Sequence, residues 1–126
     1  MRIILLLAVA IAGCGQSVPV PSDLVFSGQK VQHWTTLAKS KQVKERKHAI
    51  EVLGNVGIAH PDAIPALIVA LRDTDATIRL AAVLGLSKIG PPAGNALPAL
   101  EASLKDSDKR VAEQAKLAIK RIKGEE

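Results

Sequence analysis

Aromatic side chains are almost missing from this 126-residue chain: one Phe (Phe26), one Trp (Trp34) and no Tyr make up 2% of it. Single-stranded nucleic-acid platforms built from stacked rings are thereby excluded, and the core has to be aliphatic and rich in Ala. Cysteine is as scarce. Cys14 is the only one, so no internal disulfide can form and no thiol catalyst stands elsewhere in the chain. Alternating β-branched runs are absent, which argues against an all-β fold. GxxxxGK[ST], GxGxxG, GxSxG and HExxH are missing too, and with them the common phosphate cradles, nucleophile elbows and zinc helices. The three histidines, His33, His48 and His60, include no pair at the four-residue spacing of a helical zinc site. No metal, cofactor, small-molecule substrate or catalytic constellation is implied, so the chain is expected not to be an enzyme.

What is present suffices for a packed domain: 48% of residues are hydrophobic and 23% charged. Lys and Arg number 17 against 12 Asp and Glu, a formal charge of +5, which is an ordinary solubilising excess. The first residues carry an address. Met1-Arg2 is a short basic start, and Ile3 to Ala12 is an uninterrupted apolar run. That run is well short of the about 20 helical residues needed to cross a bilayer, and matches the apolar part of a signal peptide.

Directly after it, Ile11-Ala12-Gly13-Cys14 resembles the bacterial lipobox. The resemblance implies cleavage before Cys14, a diacylglycerol thioether on its sulfur and an acylated, palmitate-type amino terminus. Several acyl chains would hold the protein stably, since each buried methylene contributes roughly 0.8 kcal/mol. Gly15 occupies the place where Asp would resemble an inner-membrane retention signal, so the expected site is the cell envelope, on the outer membrane where two membranes exist. Residues 1–13 then form the lipoprotein signal peptide, and residues 14–27 the lipidated Cys with a flexible tether. Gly15, Ser17, Pro19, Pro21, Ser22 and Ser27 deny this segment helical periodicity, and its expected end-to-end distance is roughly 20 Å.

Residues 28–126 repeat with a period of 33: Val56, Ile89 and Ile122 are in phase, as are Leu53, Leu86 and Ile119, and Ala49, Ala82 and Ala115. The second and third units share Pro65/Pro98, Leu67/Leu100, Leu71/Leu104, Asp73/Asp106 and Asp75/Asp108. The units run 28–60, 61–93 and 94–126. In the second, Ile64, Leu67, Ile68 and Leu71 fall on one helical face, with Asp62 as the expected N-cap and Pro65 in the first turn, where its missing N–H costs little. Asp73-Thr74-Asp75 is a polar turn in which Thr74 or Asp75 caps a second helix. That helix puts Ile78, Ala82, Gly85, Leu86 and Ile89 on one face and stops at Gly90-Pro91-Pro92. The expected fold is all-α, a short α-solenoid of three helical hairpins.

Ala63-Ile64-Pro65-Ala66-Leu67, Leu71-Arg72-Asp73, Ile78-Arg79-Leu80-Ala81-Ala82 and Leu86-Ser87-Lys88-Ile89-Gly90 make the chain similar to the HEAT repeat family, in the short bacterial form also found in phycobilisome lyases. The third unit departs from it with Ala112 for Arg79 and Lys123 for Gly90, and the first is looser. Polar residues at both ends, Lys47, His48 and Glu51 in the first unit and Glu113, Gln114, Lys116 and Lys120 in the third, mark caps around a buried middle. The recurring Asp73/Asp75 and Asp106/Asp108 pairs are expected to form turns and caps.

Two surfaces are candidate sites. Lys39, Lys41, Lys44, Arg46 and Lys47 form a basic cluster around the turn of the first unit, suited to phosphate, lipid head groups or an acidic partner, and its nearness to the tether makes it the place for a head-group contact. Leu80, Leu84 and Leu117, flanked by Lys47, Glu51 and Lys120, form an apolar strip with a charged rim suited to a protein partner. The expected function is a non-catalytic protein-protein binding or scaffolding module, anchored to a membrane through Cys14, with an unidentified envelope protein as partner and no nucleic acid. The alternative implied by family likeness is an accessory or lyase-like protein that assists an enzyme or chromophore attachment.

Overall fold

The computed structural model describes residues 30–125; the expected signal peptide, Cys14 and the tether lie outside the described residues. Among the described residues six α-helices follow one another: α1 Val31–Leu37, α2 Val43–Val56, α3 Ile64–Ala70, α4 Ala76–Ile89, α5 Leu97–Ser103 and α6 Lys109–Lys123. Short 3-10 segments, Pro61–Ala63 and Pro91–Ala96, lead into α3 and α5. Helices pair as α1/α2, α3/α4 and α5/α6, and the long second members α2, α4 and α6 pack side by side as one layer. The short first members lie over them as a second layer. The expected all-α stack of three hairpins is the observed architecture.

Local chemistry sets the boundaries. The Asp75 carboxylate caps α4 by accepting the Thr77 N–H at 2.8 Å, and Asp108 caps α6 by accepting the Arg110 N–H at 2.9 Å. Thr74 caps nothing among the described residues. Asp62 does not cap either: Pro61 opens a 3-10 turn that takes in Asp62, and Ala63 becomes the N-cap residue of α3 without a side-chain bond. Pro65 and Pro98 stand in the opening turns of α3 and α5, as their missing donors require. Gly90, at φ 73°, and Gly124, at φ 72°, end α4 and α6 in the left-handed half of backbone space that L side chains avoid.

The core runs unbroken through all three hairpins. Leu53, Leu67, Ile78, Leu86, Leu100 and Val111 are fully buried, and each such side chain contributes roughly 1.5 to 3 kcal/mol against remaining in water. Where α2 crosses α4, a Cβ on Gly54 would come within 2.8 Å of the Gly85 Cα. The helices touch backbone to backbone there. One period on, the same crossing of α4 with α6 carries Ser87 and Ala118, small residues again.

The ends are finished differently from the middle. Ile50 and Val83, in phase, are fully buried between hairpins, while their counterpart in the last unit is the exposed Lys116. The last of the three hairpins thus carries charge where the first two carry a buried aliphatic side chain. At the other end, buried Trp34 meets the edges of His33 and His48 with ring centroids 5.1 and 5.3 Å apart, joining α1 to α2.

Candidate functional site: two grooves and a row of turns

Between α2 and α4 runs an open groove of about 560 Å³. Leu80 and Leu84 supply apolar surface, and Leu84 is 46% exposed. Lys47, Glu51, Lys88 and Arg110 supply charge. Lys47 and Glu51 pair along α2 at 3.3 Å, an exposed i, i+4 contact that contributes little to stability. Lys88 donates to Asn55 Oδ1 at 2.6 Å, linking the two walls of the groove through residues that occupy the same position in successive repeats.

Of the six residues read from sequence as a partner strip, four therefore meet here: Lys47, Glu51, Leu80 and Leu84. Leu117, 55% exposed, and Lys120, also exposed, lie on α6 and do not line this groove. They stand one repeat beyond it, on the helix whose surface is given over to the polar end. Asn55, Lys88 and Arg110 were not legible as members, although the 33-residue spacing of Asn55 and Lys88 was a usable signal.

A second groove, of about 1030 Å³, lies on the opposite layer between α1 and α3. Pro65, Ala66, Ile68 and Val69 make it largely apolar, with Lys39 and Arg72 among its lining residues.

The Asp-rich turns do more than turn. Arg46 Nε and Nη2 donate to both oxygens of Asp73 at 2.9 and 3.1 Å, and Arg79 Nε and Nη2 do the same to Asp106 at 2.8 and 3.0 Å. Each guanidinium also donates through Nη1 to backbone carbonyls of its own turn, Ser40 and Lys41 for Arg46, Asp73 and Thr74 for Arg79. Asp73 and Asp106 in turn accept the N–H of Asp75 and Asp108. The result is a ladder with one rung between each pair of hairpins. Turn formation and capping, the expected role for all four aspartates, is what they do: Asp75 and Asp108 cap helices, and Asp73 and Asp106 close turns through the N–H two residues on while also carrying the ladder. Arg46 is accordingly committed to Asp73 and is not a free member of the basic cluster.

Charge follows this geometry. The hydrogen-bonded Arg79 guanidinium holds the Asp106 carboxyl below the usual carboxylate range. Asp75 is lowered by the hydroxyl and then the N–H of Thr77, and Asp108 by the side chain of Arg110. His60 Nε2 is buried without a hydrogen-bond partner among the described residues. It is less solvated than its sequence context suggested. No group of three His, Cys, Asp or Glu among the described residues is placed to hold a metal ion, and no described helix is long and apolar enough to cross a membrane.

Stacked hairpins, a continuous core and an in-phase ladder define an α-helical repeat protein. The HEAT repeats family matches residues 31–120, and the chain belongs to that family. No curated protein matches the chain. Membership makes it a helical module of the kind that commonly mediates protein-protein interaction.

Proposed function

We propose that the chain is a non-catalytic binding or scaffolding module, carried at a membrane outside the cytoplasm on a lipidated Cys14. The observation that carries the binding role is Leu84, nearly half exposed in the α2/α4 groove. A large aliphatic side chain left open beside Leu80 and rimmed by Lys47, Glu51, Lys88 and Arg110 suits an apolar anchor residue with a carboxylate near it. The anchoring role rests on the basic start, the short apolar run and the Ile11-Ala12-Gly13-Cys14 motif. Leu117 and Lys120 extend the partner surface along α6 if the partner is longer than the groove.

Crosslinking capture from membranes with Leu84→Asp and Leu117→Asp tests the first part. Loss of the captured partner, with an unchanged melting transition, is the expected result; hot-spot positions of this type cost about 2 kcal/mol or more, roughly thirtyfold in affinity. Unchanged capture refutes the surface. Mass spectrometry of the mature amino terminus tests the second part. A diacylated Cys14 at position one of the mature chain is expected, and an intact Met1 or an unmodified Cys14 refutes it.

A further inference from the structure

The three turns inside the hairpins stand in one row because Arg46 and Arg79 each bind their own turn and the aspartate of the next. Lys39, Arg72 and Lys105 occupy the same register in the three turns, 33 residues apart, and all are exposed. Lys41, Lys44 and Lys109 add exposed charge beside them. None of these six cations enters an ion pair among the described residues. Of the carboxylates at this edge, Asp73 and Asp106 are paired with the ladder arginines and Asp108 with Arg110, while Asp75 and Glu45 accept from the neutral groups of Thr77 and Ser40 and keep their charge. The six cations outside ion pairs outnumber the carboxylates that no arginine holds, Asp75, Glu45 and the exposed Asp62 of the α1/α3 groove, so the edge carries a positive excess.

Apolar surface accompanies it. Val43 and Leu104, 41% and 43% exposed, flank the first and last turns. Lys39 and Arg72 also adjoin the largely apolar α1/α3 groove, where Val69 is 70% exposed. Hairpins about 10 Å apart spread the three in-phase cations over roughly 20 Å. A row of separated cations with aliphatic side chains immediately beside them matches an amphiphile in a plane, with charged head groups and acyl chains a few ångströms deeper. An acidic peptide would satisfy the charge and leave Val43, Val69 and Leu104 in water. We propose that this turn edge docks on an anionic lipid surface, so that the domain lies edge-down on the bilayer with the α2/α4 groove left open. The docking is independent of the partner groove and of any lipid on Cys14.

The test uses the full chain carrying Cys14→Ser, which removes covalent lipidation, and co-flotation with vesicles of phosphatidylcholine alone or mixed equally with phosphatidylglycerol. The apolar residues 3–12 contribute alike to both vesicles, so the readout is the ratio between them. A preference for the anionic vesicles that weakens in high salt is expected. Lys39→Gln, Arg72→Gln and Lys105→Gln together should reduce that ratio by roughly a hundredfold, at about fivefold per cation. Lys116→Gln, Arg121→Gln and Lys123→Gln, the same charge change towards the far end of α6, should reduce it far less. Equal loss in the two triple variants shows attraction by net charge alone and overturns the proposal. So does equal binding to both vesicles, or binding of soluble polyglutamate at this edge without vesicle preference.

Discussion

Cutting one rung of the ladder gives the most direct measure of what holds the hairpins together. The Arg79 and Asp106 side chains are only 15% and 7% exposed, so the pair sits between a surface ion pair, worth about 0 to 1 kcal/mol, and a buried one, whose rupture costs about 3 to 5 kcal/mol. Two parallel bonds to a charged acceptor place each single truncation, Arg79→Ala or Asp106→Ala, at about 2 to 3 kcal/mol. Because both changes remove the same two bonds, the double variant should cost much less than their sum, leaving a coupling energy of about 2 kcal/mol. For a domain of this size that is about 10 to 15 °C in each single variant's melting temperature, read by circular dichroism and confirmed by denaturant titration. Arg79→Lys keeps the charge and loses the planar fork, so it should recover little. Additive single effects, with coupling below about 0.5 kcal/mol, would show that the rung is decorative and that apolar packing alone sets the register of the stack.

Further predictions follow from the same structure. Gly54→Ala should lower the melting temperature measurably, since its new Cβ would meet the Gly85 backbone at 2.8 Å, whereas Gly94→Ala, with open space around it, should be nearly neutral. Asp106 has a lowered value in the folded protein and an ordinary one, near 4, when unfolded; its contribution is therefore fully present above that ordinary value and is lost as the pH falls through the folded one. Melting temperature should hold from neutral pH to about 5 and decline below about 4, with a shallower decline in Asp106→Asn. Val83→Lys should destabilise by about 3 kcal/mol or more by placing an ammonium group in the fully buried space between hairpins, while Lys116→Val should change stability by less than about 0.5 kcal/mol, both read by thermal and denaturant unfolding.

The fold was legible because a strict repeat shows its own period, and Leu53, Leu86 and Ile119 report the buried face whatever their neighbours do. Pro65, Asp75 and Gly90 were readable for the same reason: each answers a local backbone requirement that sequence alone displays. Asp62 misled because Pro61, three residues before α3, drew it into a 3-10 turn, and boundaries of this kind depend on one or two dihedral angles. The ladder was visible only in half. Asp73 and Asp75 look alike in a local window, and what separates them is the arginine of the preceding hairpin, 27 residues away, a contact that no helical periodicity encodes. Rotation about a single helix axis puts Leu80 and Leu84 on one face, and both line the α2/α4 groove, but it cannot say where the opposing wall ends. Leu117 and Lys120, on α6, lie outside that groove.

The rungs also give the array a direction. Both ladder arginines, Arg46 and Arg79, reach forward to an aspartate, so a hairpin needs an aspartate to receive from behind and an arginine to give ahead. Only the middle one has both, Asp73 and Arg79; the first offers Ser40 where the aspartate would stand and the last offers Ala112 where the arginine would. Among the described hairpins, the central one is thus the segment that could be copied in tandem with every donor and acceptor of the added rung already supplied.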